Sequence, residues 1–319
     1  MDIEFYGVRG SVATPLLPVD IESKILRALE RATPDDLQDE GTRRRFVASL
    51  PLSIGGTYGG NTTCVVVRHE GRDLVVDMGT GVRRYGQDCI TGRKKFPAEA
   101  PLIILATHVH WDHIQGWPFF VPAYIPGNHI EFHSGRVGFK EQFLHQQLSP
   151  WCPAHFEFMR ATITFNEIPV DQPVEIGPFK VTTLKLHHPD ENLGYRIEAG
   201  GASFVFLSDT EITGLKISDL KPYQEFCRGA DLVYADCQYD FRGAWEKVTW
   251  GHSNLYNWLD ILRGYGVKKL YCGHYDPTSN DEVVEQVLEK AKRYIRTMAP
   301  GDVPEVELVV EGRRTQLGV

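Results

Sequence analysis

The sequence predicts an α/β chain in which two or more β-sheets carry helices on their outer faces. Two observations lead there. Short stretches rich in Val, Ile, Phe and Tyr, most of them four to eight residues long and bounded by Gly, Pro, Asn or Asp, recur along the chain, and segments of helical period lie between them. In order, the β-rich stretches are IEFYGV near the start, TTCVVVRH, RDLVVDMG, PLIILATH, HIEFHS, ATITFNEI, FKVTTLKLHH, GYRIEAG, ASFVFLSD, ADLVYAD and KKLYCGH. One sheet is too small for so many strands. Of the helices, the first has Ile21, Ile25 and Leu29 at i, i+4 and i+8 behind Asp20, which reads as its cap. Another spans Asp281 to Met298, periodic and with few breakers.

Two segments depart from this rhythm. Residues 18–53 read as a helical insertion, with Thr33 and Pro34 announcing a second helix and Arg43, Arg44 and Arg45 forming a basic run. That run is either a solvated helix face or an anion-steering patch. Residues 135–159 form an excursion containing Phe139, Phe143, Trp151, Phe156 and Phe158, too apolar for an idle loop. Local core, a dimer contact and a lid over a site stay open for it. No internal repeat, low-complexity tract or linker divides the 319 residues, so the expectation is one domain over 1–319 with these elaborations.

Composition narrows the function classes. With 42% hydrophobic and 24% charged residues the chain has a globular composition. A formal net charge of −8 disfavours bulk duplex nucleic acid as a partner, because such binding rests on many cations neutralising phosphates, yet it admits a small anionic substrate. The start, MDIEFYGVRGS, lacks the basic and apolar regions of a signal peptide, and no apolar run is long enough for a membrane span. Cysteines at 64, 89, 152, 227, 237 and 272 are scattered without a CxxC pair, which fits reduced thiols and a cytoplasmic location.

The chemistry concentrates at strand ends. Asp77 follows LVV, His108 follows LIILAT, His188 follows TTLKLH, Asp209 follows FVFLS and His274 follows LYCG. Polar residues just beyond strands let a rigid sheet hold a site in register. The densest cluster is HxHxDH, formed by His108, His110, Asp112 and His113. Imidazole nitrogens and carboxylate oxygens suit zinc, and also manganese or iron. In a turn beyond a strand, His108 and His110 can converge on one ion while Asp112 and His113 reach a second. LKLHHPD adds His187 or His188, the histidine before proline being preferred. FLSDTE adds Asp209, able to bridge two ions, and YCGHYDP adds His274.

HVHWDH, the HHP segment, SDTE, the terminal GHYDP and DMGTG together resemble the metallo-β-lactamase fold superfamily of metal-dependent hydrolases, over most of the chain from Tyr58 onward and including GVRGS at the start. YGGNTTC, HWDHIQGWPFF and WGHS resemble its phosphodiesterase-like branch, which includes tRNase Z and cyclic-phosphate phosphodiesterases. The resemblance implies an αββα sandwich with a di-metal site at one edge of paired sheets. It implies His108, His110 and His188 on one ion, Asp112, His113 and His274 on the other, Asp209 between them, and Asp77 as a supporting aspartate. It also implies that His252, in TWGHSN, stabilises the transition state or protonates the leaving group. Asn254 stands where that motif usually has threonine or serine, and no cysteine occupies the ligand position found in the best-known β-lactamases.

The function expected is hydrolysis of a small or cyclic-nucleotide-type phosphodiester, with a metal-bridging hydroxide as nucleophile and His252 as acid or electrostatic stabiliser. Asp112 counts as both ligand and catalytic residue. Trp111, Trp117, Phe119 and Phe120 flank the first cluster, and Tyr239, Trp245 and Trp250 precede His252. Core packing is expected for most of them, with base stacking the alternative. Asp236 and Gln238 are candidates to support the site. A lactone or thioester hydrolase, a tRNase Z-like nuclease and a non-catalytic metal-dependent binding protein are the competing readings. A homodimer is expected from the branch.

Overall fold

The computed structural model describes residues 1–94, 96, 100–150, 152, 154–298 and 302–318. Strands β1 (Asp2–Gly7), β2 (Cys64–His69), β3 (Arg72–Val76), β4 (Leu102–Leu105), β5 (His129–Ser134) and β6 (Thr162–Glu167) lie side by side in chain order. A second sheet takes β7 (Val174–Ile176), β8 (Phe179–Leu186), β9 (Asn192–Ala199), β10 (Ala202–Leu207), β11 (Leu232–Asp236), β12 (Lys269–Gly273) and β13 (Glu305–Leu308), again in chain order. The last strand, β14 (Arg314–Gln316), returns to the first sheet and pairs antiparallel with β1. In each sheet the early strands are antiparallel and the later ones parallel: β3 to β6 in one, β10 to β13 in the other.

Strict alternation decides which side chains meet between the sheets. Val65 and Val67, Leu74 and Val76, and Ile103 and Leu105 face Val181, Tyr195, Ile197, Phe204 and Phe206 of the second sheet in one apolar core. Their neighbours Val66, Val75, Leu102 and Ile104 point outward into a second core. Helices supply the outer layers. They are α1 (Pro18–Leu29), α2 (Glu40–Ser49), α3 (Leu52–Gly55), α4 (Gly81–Ile90), α5 (Trp111–Ile114), α6 (Phe139–His145), α7 (Ile217–Cys227), α8 (Phe241–Glu246), α9 (Leu255–Leu262) and α10 (Asp281–Met298). Val82 and Tyr85 of α4 close the outer core of the first sheet, while Tyr223 of α7, Trp258 of α9 and Ala291 of α10 pack with the second. The result is an αββα sandwich of the metallo-β-lactamase type.

Each β-rich stretch named above is a strand. Three strands carry no such signal: β7, β13 and β14 are edge or near-edge strands of three or four residues, with the polar compositions VEI, EVEL and RTQ. Two helix expectations need correction. Asp20 is not the cap of α1. It lies inside the first turn and reaches back to accept from the Leu17 N–H at 2.8 Å, with Pro18 as the first helical residue. Thr33 and Pro34 open a single 3-10 turn, and the second helix starts later behind Asp39, whose carboxylate accepts from the Thr42 N–H. In the 135–159 excursion Phe139 and Phe143 are buried against Trp117 and Phe132, whereas Phe158 is exposed and Trp151 lies outside the described residues.

Candidate metal centre

Parallel pairing gathers the polar strand ends. Val76 pairs with Leu105, so Asp77 and the turn carrying His108 to His113 leave the first sheet together. Leu207, Ala235 and Cys272 share one register, so Asp209, Asp236 and His274 leave the second sheet at one end. Asp77, Asp209 and His274 all take a positive φ, of 61°, 52° and 56°. A left-handed backbone is unfavourable for such residues and persists where surrounding structure over-determines it, as at functional sites.

His108, His110, His188 and Asp209 bring one potential ligand atom each within 4.8 Å of one another, and Asp112, His113, Asp209 and His274 do the same. Asp209 belongs to both groups. Its Oδ1 lies 3.0 Å from Nε2 of both His113 and His274, and its Oδ2 lies 3.9 Å from Nε2 of His108. All the metal candidates read from the sequence are therefore together. His188 is the half-buried histidine of its pair that turns inward, while His187 is exposed.

Most of these rings are held by one nitrogen so that the other faces the centre. Thr107 Oγ1 has a single proton, and the Asp77 carboxylate beside it accepts, so Thr107 donates to Asp77 and accepts from His108 Nδ1 at 2.9 Å. Asp77 also takes His113 Nδ1 at 2.7 Å. Asp190 holds His110 Nε2 at 2.7 Å, and the Gly251 carbonyl holds His188 Nδ1 at 3.1 Å. Such backing fixes the tautomer and aims the free nitrogen. On the carboxylate side, the Ser11 N–H donates to Asp112 Oδ2 at 2.8 Å.

The electrostatics call for positive charge. Burial pushes Asp112 and Asp209 upward, but the imidazoles around them, His113 foremost, hold both well below the usual carboxylate range. Burial works against a proton on His113, yet Asp209, Asp112 and Asp77 raise that ring well above its ordinary value. Burial lowers His108 and His188. Nε2 of His108 and of His113 are buried without a hydrogen-bond partner among the described residues. Inward-facing nitrogens without partners, beside carboxylates that gain from a cation, fit a divalent ion with nitrogen and oxygen ligands.

His252 completes the centre. Its ring stacks on His274 at 5.1 Å and meets His188 edge-on at 5.7 Å, next to both groups. Its Nδ1 is 2.7 Å from Asp236 Oδ2. Burial opposes charge on this ring, but Asp236 outweighs it and pushes the pKa up to about 9. The loop that delivers His252 is pinned by Glu211, a buried carboxylate that accepts from the N–H groups of Thr249 and Gly251. Asn254 is the N-cap of α9, its side chain accepting from the Asn257 N–H at 3.1 Å, so asparagine does there what serine or threonine would do.

Sequence reasoning singled out neither Asp190, Thr107, Ser11 nor Glu211. Their contacts run to second ring nitrogens or backbone amides, for which no spacing rule exists. The aromatic expectation needs partial correction. Trp117, Phe120 and Tyr239 are core, but Trp111, Phe119, Trp245 and Trp250 are exposed, Trp111 by 75% although it stands between two candidate ligands.

Residues 72–275 match the family described as Beta-lactamase superfamily domain, and the chain belongs to that superfamily. Paired sheets with a His/Asp centre at one end make it a metallo-hydrolase of that class. The Probable metallo-hydrolase YhfI of Bacillus subtilis (strain 168) is 25% identical to it over 239 residues, spanning 70% of this chain and 86% of the relative. The crystal structure of YhfI from Bacillus subtilis superposes with a TM-score of 0.61 at 17% identity, over 99% of both chains. A diphosphatase from the PhnP family gives a TM-score of 0.61 at 17% identity, over 100% of this chain and 98% of its own. Human tRNase Z, short form, gives 0.60 at 16% identity over 100% of both. At these identities the structural likenesses establish the fold. No helix among the described residues is long and apolar enough to cross a membrane.

Proposed function

We propose that this protein is a binuclear metal-dependent phosphodiesterase acting on a small phosphodiester of the cyclic-nucleotide type. His108, His110 and His188 would hold one ion, Asp112, His113 and His274 the other, with Asp209 shared, and the donor set suits zinc best, then manganese or iron. Bound there, divalent ions supply a water acidic enough to ionise near neutral pH and offset charge developing on a phosphoryl oxygen. The rest falls to the chain's own groups. Asp77, Thr107, Asp190 and the Gly251 carbonyl keep the ligand rings aimed. His252, held by Asp236, stands at the edge of both ligand groups, where a departing alkoxide needs a proton.

The observation that carries the phosphodiester reading is the Asp236–His252 pair. Hydrolysis of a lactone or thioester at the same centre has no need of a buried imidazole held by a carboxylate beside it. The fold is shared with a PhnP-family diphosphatase and a tRNase, and phosphate-ester chemistry agrees with both. Exposed Trp111 and Trp250, each next to or near a site histidine, offer faces on which a nucleobase can stack. The six free cysteines suit a reducing compartment, and we place the protein in the cytoplasm. The test is a panel of bis(p-nitrophenyl) phosphate, cyclic nucleotides, a lactone and a thioester, on protein purified without chelator and assayed for zinc, manganese and iron. Preferred turnover of a phosphodiester with close to two metal equivalents is expected. Turnover of only the lactone or thioester refutes the proposal.

A further inference from the structure

We infer that the outward face of α1 is a homodimer interface, formed when two copies of this chain pack α1 against α1 about a two-fold axis. The inference stands apart from the proposed activity. From Ser11 to Leu52 no side chain is buried, although the segment is rich in large apolar residues. Short helices in water owe their stability to a buried apolar face, and α1 has none within its own chain.

The faces of α1 are reversed. Lys24 and Arg27 turn toward the body of the protein. Lys24 Nζ donates to the carbonyls of Ser53 and Gly56 at 2.7 and 3.0 Å and to Asp281 Oδ2 at 2.8 Å, and Arg27 donates to Glu282 at 3.1 Å. At 100° per residue the opposite side is Val19, Ile21, Ile25, Leu26 and Leu29, which are 48 to 62% exposed. Rolling this stripe inward would strip Lys24 of three acceptors and cost the buried Asp281 a cation, so the helix is fixed with its apolar side out.

At roughly 100 Å² each, these five side chains present about 500 Å² of apolar surface. With a polar rim that approaches the ~800 Å² each partner gives to a standard interface. An isologous dimer needs a surface that complements itself, and a helix with one apolar face and its polar face engaged meets that need when laid antiparallel on its twin, with dipoles opposed. A bilayer suits the face less well. α1 itself carries Asp20 and Glu22 against Lys24 and Arg27, and both cations are turned inward, whereas helices that lie on anionic lipid carry exposed Lys and Arg.

Sedimentation velocity on the full chain at ~10 µM tests this, comparing wild type with the double variant Ile21→Glu, Ile25→Glu. The wild type is expected to be dimeric. Two carboxylates in the middle of the interface should raise the dissociation constant at least ~100-fold, leaving a monomer with unchanged far-ultraviolet circular dichroism. If the double variant misfolds, Ile25→Cys serves instead. Ile25 lies near the centre of the stripe, so this variant should form an intermolecular disulfide on mild oxidation that wild type, under the same conditions, does not. A monomeric wild type, a double variant that stays dimeric, or an Ile25→Cys protein that does not cross-link overturns the inference. So does flotation of a monomeric wild type with phosphatidylglycerol vesicles, which would give the face to lipid.

Discussion

Asp236 Oδ2 and His252 Nδ1 lie 2.7 Å apart, both residues buried, with the imidazole beside His188 and His274. The pair gives His252 a fixed tautomer and favours its charged form. Replacing His252 with alanine should lower kcat on a phosphodiester by about 10²–10⁴-fold, the range of a positioned general acid. Metal content should stay the same, because the two groups that share Asp209 are made of seven other side chains, and His252 falls only in a third group with Asp236 and His274. The loss should be greater for an alkoxide leaving group than for p-nitrophenolate, which leaves without help. Asp236→Asn should cost less, about 10–100-fold, as for other groups that orient a site histidine. Equal losses on both leaving groups would remove His252 from proton transfer.

A different pair governs stability near the start of the chain. Asp281 accepts from Lys24 at 2.8 Å and from the Tyr58 N–H at 3.0 Å, and it lies 3.6 Å from Arg9. Arg9 and Asp281 are both buried, and burial lowers the Arg9 guanidinium below its ordinary pKa. Asp281→Ala would leave Arg9 with carbonyl partners but without this carboxylate, and the Tyr58 amide without its acceptor, at a cost of about 3–5 kcal/mol. Urea unfolding followed by circular dichroism measures it. A loss under 1 kcal/mol would mean that solvent reaches Arg9 on loss of the carboxylate.

How much of this was legible in the sequence follows from how each contact is made. HVHWDH could be read because its ligand types recur at short spacing, and most β-rich stretches could be read because their own apolar residues enter one core or the other, although β6 buries no residue fully. Strands β7, β13 and β14 could not be read, since their pairing comes from neighbours rather than from their own side chains. His188, Asp209 and His274 were legible as strand ends and through the family resemblance, but not as a cluster, which only the register of the sheets creates. Asp190 meets His110 from 80 positions away. The period of α1 was plain, yet periodicity locates a stripe without saying which way it points. Asp281 and Glu282, waiting at the start of α10, decide that by drawing Lys24 and Arg27 inward.

Removing the metal should unfold the site as well as silence it. Without cations, Asp77, Asp112 and Asp209 remain buried among imidazoles, with burial raising Asp77 above its usual range against the pull of His113 and Thr107. A ligand bound only by the native state stabilises it by about 4 kcal/mol at a thousand times its dissociation constant. Exhaustive chelation should therefore lower Tm by several degrees and abolish turnover, with zinc restoring both. A chelated protein with the Tm of the untreated one would count against a metal centre at these residues.

Gly251 joins the two halves of the proposed machinery. Its carbonyl accepts from His188 and its N–H donates to Glu211, while its φ of +88° suits glycine. A Cβ there would sit 2.1 Å from His188 Nδ1 and 2.5 Å from Pro189 Cδ. Both neighbours are held in place, so Gly251→Ala should displace the His188 ring and lower both metal content and turnover. Gly92→Ala is the control. Gly92 has a φ of +75° with nothing among the described residues within 4 Å of the added carbon, so that variant bears the backbone penalty of about 1–2 kcal/mol and should keep its metal and its activity. Metal analysis of the two proteins side by side separates steric displacement of His188 from simple backbone strain. If Gly251→Ala retains full metal and full turnover, His188 is not held by this loop.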